Sequence, residues 1–169
     1  MNSILLEDLE MKSSATLEDL DDFLREKWLE CCGHLSAFYV DGEDYVLPDI
    51  AEPGERNMKT WLGDTLSSGA RFEHVYDFGT STELSLRVTD EREGRIGSEP
   101  LRVLSRNDAP VWECEICGEE ADFICQICMF ETPNPFYCQT HAGDHDCDEP
   151  EMLLPVVNSP RMGVCGYKG

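Results

Sequence analysis

The chain has 169 residues, a length that fits one domain with a small accessory module. Thirty-five Asp and Glu face 13 Lys and Arg, for a net charge of -22, a balance that repels phosphate backbones and anionic membrane surfaces. No apolar stretch approaches the ~20 residues of a membrane helix, and residues 1–10 lack the basic region of a signal peptide, so a cytoplasmic protein is expected.

The first predicted element is an amphipathic helix over residues 16–29. Thr16 is a good N-cap, and Asp19 stands three residues on in a capping-box position. Leu17, Leu20, Leu24 and Trp28 then form one apolar stripe, and Gly33 is a plausible stop. A hairpin is expected next, Leu35–Val40 with Glu43–Leu47, turned by Asp41-Gly42. Pro48 and Pro53 mark a loop. Met58, Trp61, Leu62, Thr65 and Leu66 share a helical face, which predicts a second helix over 57–67 capped by Gly69. Two strands follow, one alternating Phe72, His74, Tyr76 and Phe78, the other Leu84, Leu86 and Val88. A polar turn at 90–99 leads to a last strand near Leu101–Leu104. Helices and antiparallel strands are mixed without βαβ alternation, so the class is α+β, with a mixed or antiparallel sheet and two main helices. Asn107-Asp108-Ala109-Pro110 reads as a hinge. The expected division is an acidic domain over 1–108, a Cys/His module over 109–151 and a tail over 152–169.

Nine cysteines in a chain without a secretory leader point to metal binding or thiol chemistry rather than disulfides. Eight ligand residues fall into four pairs: Cys114-x2-Cys117, Cys125-x2-Cys128, Cys138-x2-His141 and His145-x-Cys147. A two-residue gap lets a tight turn aim two donors at one ion, and eight donors complete two tetrahedral sites. Iron–sulfur clusters usually take all-Cys ligation, so zinc fits better. With every position filled by protein, the use is structural; a catalytic zinc keeps a position for water. The Gly118–Ile124 segment can cross an ion site as a short strand. That favours interleaving, with Cys114, Cys117, Cys138 and His141 on one zinc and Cys125, Cys128, His145 and Cys147 on the other. The sequential pairing, four leading cysteines on one ion, stays open. Apolar residues are few in this segment, and about 10–16 kcal/mol of zinc binding per structural site would replace the missing core.

Between Val111 and Glu151 there are 11 acidic residues and no Lys or Arg. Zinc fingers that grip DNA need basic side chains on the phosphates, so direct nucleic-acid binding by the module is not expected. A protein partner, basic if charge governs the contact, is.

Three cysteines lie outside the module. Cys31 and Cys32 stand near the C-terminal end of the first helix beside His34, where a thiol nucleophile with a nearby base can be imagined. The partial negative charge of a helix C-terminus disfavours a thiolate, so two small packed residues are the simpler reading. Cys165 is a third thiol, and a further metal site from Cys31, Cys32, His34 and Cys165 needs a fold that brings the chain ends together. Asp77 with Glu73, His74 or Glu83 could form an acid/base group, or simply the polar face of a hairpin. No phosphate loop, nucleophile elbow or metalloprotease helix is found, and the pattern points away from an enzyme. A thiol enzyme using Cys31, Cys32 or Cys165, or an acidic decoy of nucleic-acid-binding proteins, are the alternatives.

Residues 16–104, through Gly33-His34-Leu35-Ser36-Ala37-Phe38 and above all Tyr76-Asp77-Phe78-Gly79, resemble the Ri-plasmid "ORF-three"-like family, also labelled transposon passenger proteins. Some relatives look similar further on, in a cysteine-rich extension and a tail like Val156-Val157-Asn158-Ser159-Pro160-Arg161-Met162. The resemblance implies an α+β domain and no particular activity. Many relatives carry an Asp-x-Trp-x-His segment where Thr80-Ser81-Thr82-Glu83 stands here, and the strands that usually open the domain look shortened. The zinc pairs separately resemble B-box and similar cross-braced modules, which serve protein contact.

Overall fold

A computed structural model describes residues 6–147, 149 and 152–169. Its described residues form an α+β fold of antiparallel sheets, divided into two compact units. One unit holds Leu6–Lys27 and Cys32–Arg106, the other Trp28–Cys31 and Asn107–Gly169.

In the first unit, α1 (Leu17–Leu24) starts at a capping box. The Asp19 backbone N–H donates to Thr16 Oγ1 at 3.1 Å, and the Thr16 N–H donates to Asp19 Oδ2 at 2.7 Å. Leu17, Leu20 and Leu24 are buried, as is Asp21 on the same face. The helix then loosens into a π-helical turn, Arg25–Leu29. A four-stranded sheet follows in the order β3-β2-β4-β5, from β2 (Ser36–Val40), β3 (Glu43–Val46), β4 (Arg71–Tyr76) and β5 (Thr82–Arg87). The β2–β3 hairpin turns at Asp41 and Gly42, with φ of 50° and 81°. Both positive values are what a two-residue type I′ turn requires, and they match the right-handed twist of the strands. Alternation puts Phe72, His74 and Tyr76 of β4 inward beside Phe38 of β2, whose ring lies 4.6 Å from that of His74.

Asp21 crosses from α1 to β4. Its Oδ1 lies 2.6 Å from His74 Nε2, and its Oδ2 accepts from Arg25 Nε at 3.0 Å. Burial pushes the Asp21 carboxyl up, but the bond from His74, the nearby Ser36 and the charges of His74 and Arg25 outweigh it and leave it below the usual range. The buried acid is thus held by partners on the π-helical turn and on β4.

The second helix is much shorter than periodicity predicts: α2 spans only Leu62–Thr65. The segment before it is extended because its backbone groups are taken by neighbours. The N–H of Leu17 donates to Thr60 O, that of Glu18 to Met58 O, and that of Met58 to Val46 O. A backbone used in these bridges has no i→i−4 partners to offer. Met58 and Leu62 are buried nonetheless, while Trp61 is exposed. A strand absent from the sequence reading, β1 (Glu7–Met11), pairs antiparallel with β6 (Leu101–Arg106) in a separate two-stranded sheet. Its mixed polarity gave no alternating signal. It is held partly by Glu10, which accepts from Arg102 Nε at 2.6 Å.

The second unit is built on a three-stranded sheet in the order β8-β7-β9, from β7 (Phe123–Cys125), β8 (Phe136–Tyr137) and β9 (Leu153–Pro155). A one-turn helix α3 (Gln139–Ala142) follows β8 directly. Ala121, Ile124, Phe136, Leu154 and Met162 form its small core, and Trp112 stacks on Phe136 at 4.5 Å. Residues 152–169, read from sequence as a tail, therefore supply a strand and two core side chains, Leu154 and Met162, to this unit. Ser159 fastens them further: its Oγ donates to Trp28 O at 2.6 Å, joining the 28–31 segment to the same unit.

Candidate metal centres

Antiparallel pairing of β7 with β8 sets Ile124 opposite Phe136, so Cys125 and Cys138 fall at opposite ends of the ladder. Cys138 stands level with Asp122, three residues from Cys125, which separates the two by about 10 Å along the strand. Consecutive ligand pairs on these strands cannot share one ion. Each end instead collects a pair from elsewhere in the unit.

At the β8 end, Cys138 is the N-cap residue of α3, and one helical turn carries His141 back onto the same face. The Cys114–Cys117 turn docks beside it. That turn is closed by Gly118, whose N–H donates to Cys114 O at 2.9 Å with φ at 73°, where a Cβ would be strained. The Glu115 N–H donates to Phe136 O at 2.9 Å and pins the turn to β8. At the β7 end, Cys125 leads into a tight turn through Cys128, whose N–H points at Cys125 Sγ from 3.5 Å. His145 and Cys147, beyond α3, return to this end.

The donor atoms converge. Cys114, Cys117, Cys138 and His141 form one group and Cys125, Cys128, His145 and Cys147 another, with the ligand atoms in each within 4.8 Å of one another. In the first, Cys117 Sγ lies 3.8 Å from Cys138 Sγ, and His141 Nδ1 lies 3.5 Å from Cys114 Sγ and 3.3 Å from Cys138 Sγ. In the second, Cys125 Sγ lies 3.8 Å from Cys147 Sγ, and Cys128 Sγ lies 3.5 Å from His145 Nε2. Two thiolates about 2.3 Å from an ion at the tetrahedral angle stand about 3.8 Å apart, and a thiolate and an imidazole about 3.5 Å apart. The donor spacing therefore fits a tetrahedral ion of zinc size, and the Cys3His donor set suits the same metal.

Neighbouring groups tune these donors. Burial pushes the Cys114 thiol up, but the backbone N–H groups of Cys138, Cys117 and Ile116 and the His141 ring prevail and bring it down to about 6. The His141 backbone N–H is the main influence lowering Cys138. Cys128 is driven the other way, to about 12, by burial and then by Cys125 and Cys147. The His145 ring packs against Tyr137 at 4.2 Å between centroids, and the Tyr137 hydroxyl donates to Glu115 Oε2 at 3.1 Å. Tyr137 and Glu115 thus orient His145 from outside the donor group, a role that no ligand spacing reveals.

Of the other residues singled out by sequence, His74 is engaged with Asp21 rather than with Asp77. Asp77 has φ of 65° and faces His34 instead, with Oδ2 3.6 Å from Nε2. Glu73 and Glu83 point to solvent. The structure thus brings no acid/base group together around Asp77 with Glu73, His74 or Glu83. Of the remaining thiols and their neighbouring histidine, Cys31 and Cys165 belong to one compact unit, and Cys32 and His34 to the other. No helix among the described residues is long and apolar enough to cross a membrane. No family model, curated protein or solved structure matches the chain.

Proposed function

We propose that the unit around β7, β8 and β9 is a cross-braced structural zinc module that serves protein–protein contact without catalysis. The observation that carries this reading is the pair of Cys3His groups, each at tetrahedral spacing and each completed by protein donors alone. Zinc at such a site has no position for water or substrate, which leaves it a structural task. The core it would support is small, Ala121, Ile124, Phe136, Leu154 and Met162 with Tyr137 packed among the cysteines, so metal binding would carry much of the folding free energy.

The contact role is supported by what the module leaves uncovered. Phe130 is 76% exposed and Ile116 63% exposed. A shallow depression near them is lined by Glu115, Ile116, Ile127, Glu131, Asp144 and Asp146. Apolar side chains ringed by carboxylates suit a partner segment that mixes apolar and basic residues. We also place the α+β unit with the Ri-plasmid "ORF-three"-like family, on the Tyr76-Asp77-Phe78-Gly79 signature.

The test has two parts. Protein purified without chelator should carry zinc at Cys114/Cys117/Cys138/His141 and at Cys125/Cys128/His145/Cys147, shown by loss of one equivalent in Cys117→Ser and one in Cys147→Ser. Phe130→Ala with Ile116→Ala should then abolish capture of a partner recovered by the wild-type chain while zinc content stays constant. Full zinc loading with unchanged capture by that double variant would sink the contact role and leave the metal sites standing.

A further inference from the structure

The four-stranded sheet has two edges, and they differ. Along β3 the 56–58 segment occupies the outer side: Val46 N–H donates to Arg56 O at 3.4 Å, and Met58 N–H donates to Val46 O at 2.9 Å. β5 (Thr82–Arg87), at the other edge, pairs among the described residues with β4 alone.

The ladders fix which backbone groups of β5 face outward. Asp77 N–H donates to Leu35 O at 2.9 Å, one step beyond the Ser36–Tyr76 pair, so the odd-numbered residues of β4 bond to β2. Val88 N–H donates to Ala70 O at 2.9 Å, one step beyond the Arg71–Arg87 pair, so Leu86, Leu84 and Thr82 bond to β4. The two ladders agree, since β4 presents Phe72, His74 and Tyr76 to β5. The N–H and C=O groups of Glu83, Ser85 and Arg87 therefore line the outer edge.

We propose that two copies of this chain associate through β5, antiparallel, about a twofold axis at Ser85. Register selects that axis. Ser85 then meets its own copy, Glu83 stands opposite Arg87, and Leu84 stands opposite Leu86. Outward backbone groups meet outward backbone groups, as an antiparallel ladder needs. The side chains match on both faces. On the solvent face Glu83 and Arg87 are exposed and form no ion pair among the described residues. Within one chain Arg87 stands directly opposite Arg71, a like-charge pair that costs stability. Glu83 of the second copy offsets it. On the inner face Leu84 and Leu86 are only half-buried, and their counterparts across the axis cover them. Moving the axis to Leu84 or Leu86 sets Ser85 against Glu83 or Arg87 and loses the charge pairs. The net charge of -22 per chain resists association at long range, but at physiological ionic strength the Debye length is ~8 Å and charges in contact dominate.

This interface lies in the first unit and goes beyond the contact role of the Cys/His module. The full-length protein is kept under a phosphine reductant at physiological ionic strength, and its mass is followed by sedimentation equilibrium over a concentration series. Wild type should move from one chain mass to two. Arg87→Glu sets like charges against each other twice and should weaken the dimer at least about ten-fold, and Glu83→Arg/Arg87→Glu should recover it. Ser85→Pro, tolerated at an edge where the N–H leaves the sheet, should hold the chain monomeric with the amide signals of β2 and β4 retained. Amide exchange reads the register: Glu83, Ser85 and Arg87 should gain protection with concentration, while Leu84 and Leu86 stay protected throughout. A chain that is monomeric across the series would overturn the proposal. So would a dimer left intact by both Arg87→Glu and Ser85→Pro, which would put the second copy on another face. Where a variant loses the β2 and β4 signals, wild-type exchange decides, and unchanged exchange at Glu83, Ser85 and Arg87 across the series would overturn the proposal.

Discussion

Single residues carry opposite demands in the metal centres. Cys114 is brought down to about 6 by N–H donors and an imidazole, while Cys128 is pushed up to about 12 by burial and its neighbouring cysteines. Cys117 and Cys147 are also raised, and His141 is raised by Cys114 and Cys138. A zinc ion binding at these groups would therefore displace protons from several donors at neutral pH, and its affinity should fall on acidification. Calorimetric zinc titration at pH 7 in two buffers of different ionisation enthalpy should show net proton release; equal heats in both would contradict it. Asp21 gives a separate pH dependence. Its folded-state carboxyl lies below the usual range, so its contribution is present above the unfolded value near 4 and is lost as pH falls through the lower folded value. Asp21→Asn should cost roughly 3 kcal/mol at pH 7 by urea denaturation, and the gap from wild type should narrow toward pH 2.

At the scale of elements, short-range chemistry and long-range pairing divide the outcome. The Thr16–Asp19 capping box and the Asp41-Gly42 turn depend only on neighbouring residues, and both were legible in sequence. Thr16→Ala should lower the stability of that unit by about 1 kcal/mol. Gly42→Ala, forced to adopt φ of 81°, should cost about 1–2 kcal/mol, read as a shift in the urea midpoint. Residues 57–61 went the other way. Their apolar spacing is helical, but bridges to 15–18 and to Val46 claim the backbone, and only Leu62–Thr65 closes into a helix. β1 was illegible for a related reason: Glu7–Met11 has no period of its own and becomes a strand only because β6 lies beside it.

For the whole molecule, each unit is stabilised by different means. The first relies on an apolar interior from α1, β2 and β4, with the Asp21–His74 pair inside it. Among the described residues the second has a small apolar core and two Cys3His groups. Chelation should therefore act unequally. After treatment with a zinc chelator at neutral pH, amides of Phe123–Cys125 and Phe136–Tyr137 should exchange with solvent at least ten-fold faster, while those of β2 and β4 keep their protection. Hydrogen–deuterium exchange with mass spectrometry reads both regions at once, and equal loss in the two would show that the metals support the entire chain.

The candidate donors were legible in the sequence, because two-residue gaps within Cys/His pairs aim their side chains together whatever surrounds them. The grouping of donors was not, since local spacing is the same for sequential and interleaved sets. The antiparallel register of β7 with β8 separates Cys125 from Cys138 and so settles the geometry. Local spacing cannot say which pairs meet, because that depends on which segments lie side by side once the chain has folded, and folding trades chain entropy for contacts between distant segments.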